Sequence, residues 1–263
     1  YYTNQIVNLI FVGEPGSGNW VLIDAGMPKS VKAILAAAEE RFGKGNKPMA
    51  ILLTHGHFDH IGSIVGLLEE WKGVPVYAHV QEFPFLTGEL AYPEPDPGVE
   101  GGGMLAKISS IYPHEPIDIG EVLLPLPPDG SVPHLPVWQW LHTPGHSPGH
   151  VSFFREDDRT LIAGDAFVTV RQDSFYKVLI QKEEVHGPPP YLTTDWPAAR
   201  ESVRKLNALQ PSLAITGHGT HMEGDTLREG LSELAENFDK IALPEYGKYV
   251  NEGDSEGSST SIH

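Results

Sequence analysis

Apolar and polar positions along the chain follow two periods, and each change of period marks an element. Ile6–Val12 and Trp20–Asp24 read as strands joined by a turn through Glu14-Pro15-Gly16-Ser17-Gly18. Pro28 then opens a helix of Ala and Glu residues that stops at Gly43. Ala50–Leu53 is a short apolar strand. Apolar residues at 61, 64, 65, 67, 68 and 71 form a helical stripe from Ile61 to Trp71, and Val74–Ala78 returns to strand.

From Glu82 to about Glu115 the period is lost. Pro84, Pro93, Pro95, Pro97 and Gly101-Gly102-Gly103 forbid long regular structure. A segment of this kind inside a compact domain reads as a lid, with some helix around Met104–Ile111. The alternation then resumes. Val122–Leu126, Val137–His142, His150–Phe154 and Thr160–Ala163 read as strands. Asp195 caps a helix starting at Trp196-Pro197, with Ala199, Val203, Leu206 and Leu209 on one face. Leu213–Thr216 is a further buried strand, and a last helix runs roughly over Thr226–Ile241. Residues 246–263 read as a disordered tail, rich in Gly, Ser and acid from Asn251 onward. The expected class is α/β: two mixed sheets packed face to face with helices outside, one domain over 1–245 with an inserted lid near 82–115.

Composition narrows the chemistry. The 263 residues include no cysteine, which removes disulfides, iron–sulfur clusters and thiolate zinc sites, so any metal must sit on nitrogen and oxygen. The formal net charge of −17 repels phosphate backbones and anionic lipid, so neither nucleic acid nor membrane is an expected partner. No apolar run approaches a membrane span. A small-molecule substrate fits best, and a homodimer stays open. The cytoplasm is the default location, although a chain starting at Tyr1 rather than Met leaves a preceding signal segment open.

The densest chemistry lies in Thr54-His55-Gly56-His57-Phe58-Asp59-His60, directly after a buried strand. In an extended segment, residues i and i+2 project to one side, so His55 and His57 can share one ion. A turn into the helix at Ile61 re-aims Asp59 and His60 at a second point nearby. Three later segments each place one more ligand type just past a short strand, flanked by Gly: Thr143-Pro144-Gly145-His146, Gly164-Asp165-Ala166 and Thr216-Gly217-His218-Gly219. Any one alone is an ordinary turn; all three together raise the joint case for metal binding sharply.

These motifs resemble the metallo-β-lactamase-fold hydrolase superfamily, in its glyoxalase II-like and lactonase-like branch. His-x-His-x-Asp-His is the superfamily signature, and His146, Asp165 and His218 follow in matching order. Val21-Leu22-Ile23-Asp24-Ala25-Gly26 matches an early motif whose Asp supports the metal loop. The resemblance implies an αβ/βα sandwich with the site at one edge of the paired sheets. It implies His55, His57 and His146 on one ion, Asp59, His60 and His218 on another, and Asp165 bridging. Two zinc ions are expected, with iron or manganese also acceptable to these donors. A hydroxide held between such ions is available at neutral pH and attacks an electrophilic carbon or phosphorus, with Asp59 orienting it or passing a proton.

His150 reads as a support or packing residue rather than a ligand, and Asp24 and Thr54 as hydrogen-bonded supports. Tyr176 and Tyr191 are candidates for stabilising an oxyanion, against the commoner packing role. The run Glu183–Pro190 is expected to rim the site. The leading function is hydrolysis of a small ester, lactone or thioester. The alternatives are a mononuclear-iron persulfide dioxygenase-like enzyme and a non-catalytic metal-binding module.

Overall fold

A computed structural model describes residues 1–102, 106–107, 117–170 and 183–250. Its first half runs β1 (Tyr2–Asn4), β2 (Val7–Gly13), β3 (Trp20–Ile23), α1 (Val31–Phe42), β4 (Ala50–Leu52), α2 (Phe58–Ile61), α3 (Ile64–Glu70), β5 (Val76–Ala78), α4 (Phe83–Leu86) and β6 (Leu123–Pro125). The second half runs β7 (Ser131–Val132), β8 (Leu135–His142), β9 (Val151–Arg155), β10 (Thr160–Gly164), β11 (Val168–Val170), β12 (Glu183–His186), α5 (Trp196–Ala208), β13 (Leu213–Thr216), β14 (Met222–Glu223), α6 (Gly224–Glu236) and α7 (Phe238–Ile241).

Two six-stranded sheets carry the fold, ordered β1-β2-β3-β4-β5-β6 and β14-β13-β10-β9-β8-β7. Each is mixed: β3, β4, β5 and β6 run parallel beside the antiparallel β1–β2–β3, and β10 pairs parallel with β13 in an otherwise antiparallel sheet. Period-two alternation sorts the side chains into layers. Val21 and Ile23 of β3, with Ala50 and Leu52 of β4, face Phe153 and Ile162 of the other sheet. Trp20, Leu22 and Ile51 point the opposite way, onto Ile34 and Phe42 of α1 and Leu67 of α3. In the second sheet Leu161 and Ala214 turn outward onto Val203 of α5 and Leu231 of α6. Helix, sheet, sheet, helix: the four-layer αβ/βα arrangement follows from strands that are apolar on both faces.

Several expected boundaries shift, for local and for tertiary reasons. The helix expected at Pro28 begins at Val31, because Lys29 takes a left-handed φ of 66° and Ser30 supplies the first helical carbonyl to Ile34. The stripe Ile61–Trp71 is two helices rather than one. Ala25 N takes the carbonyl of His60 at 2.6 Å, and Ser63 Oγ donates to Met27 O while accepting from Ser30 N. Those tertiary bonds draw the backbone out of helical register between α2 and α3. The last helix starts at Gly224 and breaks at Asn237. Within the stretch expected as a tail, Tyr246 O accepts from Glu100 N and Tyr249 Oη donates to Glu94 O. The rest of that tail, and most of the helix expected over Met104–Ile111, lie outside the described residues. No helix among the described residues is long and apolar enough to cross a membrane.

Candidate metal centre

The parallel strands determine where the chemistry collects. β3 and β4 are in register through Ile23↔Leu52, so Asp24 and Thr54 emerge at the same edge. β10 and β13 are in register through Ile162↔Ile215, so Asp165 and His218 emerge together in the second sheet. The sheets are stitched at that edge: Val151 N donates to Thr54 O at 2.9 Å, and Asn8 N donates to Gly217 O at 2.8 Å. Asn8 Nδ2 also donates to Thr216 O and Gly219 O.

His57 keeps an extended backbone (φ −67°, ψ 152°), and α2 begins at the next residue. The extended step and the helical turn aim the four metal-type side chains of this loop at two points. His55, His57 and His146 bring one potential ligand atom each to within 4.8 Å of one another; so do Asp59, His60 and His218, and so do His55, His60 and Asp165. His57 Nδ1 lies 3.0 Å from His146 Nε2. Asp165 Oδ2 stands between the groups, 3.4 Å from His146 Nε2, 3.5 Å from His60 Nε2 and 3.2 Å from His218 Nε2. All seven residues are at most 5% exposed. Glycine is what lets Asp165 and His218 approach: a Cβ on Gly217 would fall 2.0 Å from Asp165 Oδ1.

A partner behind four of the five rings fixes which nitrogen faces inward. His60 Nδ1 donates to Asp24 Oδ2 at 2.8 Å. Thr54 Oγ1 donates to the same carboxylate and accepts from His55 Nδ1 at 3.0 Å. His218 Nδ1 donates to Ile6 O at 2.7 Å. Thr193 Oγ1 donates to Pro189 O and accepts from His146 Nδ1 at 3.1 Å. The Nε2 atoms of His55, His60, His146 and His218 are thereby left to the centre. Asp24 holds its place with a left-handed φ of 61°, a conformation that Asp tolerates better than most side chains.

Five buried atoms in this cluster have no hydrogen-bond partner among the described residues: His55 Nε2, Asp59 Oδ1, His60 Nε2, Asp165 Oδ1 and His218 Nε2. Such orphans are costly unless something else satisfies them. Burial lowers His55 and His146 well below the ordinary histidine range, their imidazole neighbours adding to it, and holds His57 at about 4. Burial opposes charge on His60 and His218 too, but Asp165 and Asp59 outweigh it, raising His60 well above its ordinary value and His218 to about 10. Protons thus balance the two carboxylates. A cation would replace those protons and satisfy the orphaned atoms together. The imidazole and carboxylate donor set fits divalent zinc, iron or manganese.

The metallo-β-lactamase superfamily profile matches residues 2–218. The chain belongs to this superfamily. It is 50% identical over 240 residues to the probable metallo-hydrolase YflN of Bacillus subtilis (strain 168), covering 91% of this chain and 90% of that protein. The crystal structure of TTHA1623 in a di-iron-bound form superposes with a TM-score of 0.54 at 28% identity, covering 89% of this chain and 94% of that one. The BLEG-1 B3 metallo-β-lactamase, 23% identical, shares the fold at a TM-score of 0.56, with 94% of this chain and 96% of that one covered. Superfamily membership and the buried His/Asp cluster together support a metal-dependent hydrolase.

The remaining candidates are placed differently. His150 lies behind the cluster, where its Nε2 accepts from Asp165 N at 2.9 Å and its Nδ1 donates to Thr143 O. Tyr191 is buried with Val99, Ala106 and Leu192. Tyr176 lies outside the described residues. Three contributors have no signal in the sequence: Thr193, Tyr92 and Glu82. Tyr92 stands edge-on to His57, with ring centroids 4.6 Å apart. Glu82, fully buried, accepts from Gly56 N at 2.9 Å, Gly149 N at 2.7 Å, Ser147 Oγ at 2.8 Å and the Tyr92 hydroxyl. Burial raises its carboxyl, and those four donors hold the rise in check.

Proposed function

We propose that this protein is a two-metal hydrolase of a small carboxyl ester, lactone or thioester. His55, His57 and His146 would hold one ion and Asp59, His60 and His218 the other, with Asp165 shared. The observation that carries this reading is the position of Asp165 Oδ2, within 3.5 Å of imidazole nitrogens belonging to both groups. Ions held there lower the pKa of water and polarise a carbonyl oxygen.

The chain's own side chains supply the rest. Asp59 faces His218 Nε2 through Oδ2 at 3.3 Å; with one oxygen on the ion, its other oxygen would orient a water and take up its proton for the leaving group. Asp24, Thr54 and Thr193 hold the histidines in one tautomer. The segment from Glu82 to Gly102 acts as a wall and lid, with the Tyr92 ring against His57. Tyr191 is assigned to packing.

Zinc is the metal we favour, and the di-iron form of TTHA1623 makes iron the alternative. The inward aim of His60 Nε2 favours two ions over a mononuclear-iron oxygenase, in which His60 would have a different task. The test is metal analysis of purified protein beside a panel of lactone, thioester, ester, phosphodiester and β-lactam substrates. Two equivalents of metal with carboxyl hydrolysis support the reading. One iron per chain, with oxygen consumed on a persulfide, would overturn it.

A further inference from the structure

Beside the donor cluster a cavity of about 250 Å³ opens between α2, α3 and the loop after α4. His57 forms part of its wall, so the space adjoins one member of the proposed reaction centre. Its other walls include Phe58, Ile61, Val65, Phe85, Pro93 and Leu192. Among the described residues none of the lining side chains is charged. Apart from His57, the only polar group on a lining side chain among the described residues is the Tyr92 hydroxyl, which donates to Glu82, while the Tyr92 ring stacks on Phe85 at 4.0 Å. The polar tip is thus committed, and ring surface is left to the cavity.

We infer that this cavity seats a neutral hydrocarbon substituent of the substrate, an inference that rests on the hydrolase reading above. Two physical arguments decide the ligand class. A carboxylate or phosphate placed against these apolar walls would lose its water with no charged side chain among the described lining residues to replace it, a penalty that disfavours anionic substituents in this space. Each methylene withdrawn from water into an apolar wall contributes favourably, so a chain extending from the scissile carbonyl gains binding for every carbon it adds. The acyl side and the alcohol side of the substrate can each present such a chain, and the two sources are separable by experiment.

Two substrate series test this on metal-loaded protein. One is p-nitrophenyl acetate, butyrate, hexanoate and octanoate; the other is γ-butyrolactone through γ-decalactone. Full engagement should raise kcat/KM about fourfold per added methylene in the series whose chain enters the cavity. A carboxylate at the far end of the chain should abolish that gain. Val65 is 49% exposed, so Val65→Trp can fill the cavity from its rim without disturbing the core. It should lower the long-to-short ratio of kcat/KM at least tenfold, with unchanged far-ultraviolet circular dichroism. Turnover that ignores chain length in both series would overturn the cavity assignment and leave the hydrolase reading standing. Should no substrate be turned over, the hydrolase reading falls, and calorimetric titration with octanamide decides the cavity separately. Binding to wild type that Val65→Trp removes supports it; no binding overturns it.

Discussion

Glu82 Oε2 accepts the backbone N–H of Gly56 at 2.9 Å, in the middle of the His55–His57 step. Its other oxygen takes Gly149 N and Ser147 Oγ, beside His146. One carboxylate therefore clamps the two loops that present the first histidine group. Glu82→Ala would leave buried donors without an acceptor and a cavity beneath them. A loss of about 2–4 kcal/mol in urea unfolding is expected, with reduced metal content. Glu82→Gln keeps an acceptor oxygen and should recover part of both. Equal stability of Glu82→Ala and wild type would remove the clamp.

The contrast between Glu82 and His55 explains what the sequence discloses. His55, His57, Asp59 and His60 fall in one heptapeptide at the end of an apolar strand, and His146, Asp165 and His218 each follow a strand beside a glycine. Local spacing suffices to single them out, and the two-period pattern behind them suffices for the layered α/β fold. Glu82 reaches Gly149 across 67 residues from a proline-rich stretch with no period, so nothing near it announces a partner. The division between α2 and α3 is hidden likewise. Its apolar stripe is helical throughout, and distant bonds interrupt it: the Ala25 amide captures the His60 carbonyl, and Ser63 Oγ ties to Met27 O and Ser30 N.

His57→Ala removes the nitrogen 3.0 Å from His146 Nε2 and leaves His55 and His146 as the remainder of that group. One metal equivalent and nearly all hydrolysis should be lost, with the fold kept. Metal analysis and circular dichroism read the two effects. Full activity in this variant would end the two-metal mechanism.

Asp165→Ala should weaken both ions together, because one oxygen faces His60, His146 and His218. Competition against a chelator measures the two affinities. Selective loss from one site would argue that the carboxylate is not shared.

Metal loading should release protons. In the metal-free protein the carboxylates of Asp165 and Asp59 overcome burial and keep His218 charged to about pH 10, and His60 is raised as well. Metal needs both rings neutral, so its affinity should climb as pH rises from 6 to 9, by up to about tenfold per unit for each proton displaced. Stability of the metal-free protein should run the other way. A raised histidine stabilises fully below its ordinary value of 6.5, and that contribution fades toward 10. Binding heats that do not change with buffer ionisation enthalpy at pH 7 would contradict this.

Thr193 has the least conspicuous part in the centre and gives a clean test of ring orientation. Its hydroxyl donates to Pro189 O at 2.8 Å and so has only a lone pair to offer His146 Nδ1 at 3.1 Å. That arrangement admits one tautomer, with the proton on Nδ1 and Nε2 bare toward the donor cluster. Thr193→Val is nearly isosteric and keeps the packing, but it strands the Nδ1 proton and frees the ring to take the other tautomer. Metal affinity should fall about 10- to 100-fold, with Thr193→Ser restoring most of it. Stability of the metal-free protein should fall by about 1–3 kcal/mol for the buried groups left without a partner, and Thr193→Ser should recover most of that as well. If Thr193→Val bound metal as tightly as wild type, the orientation of His146 would have to come from packing alone.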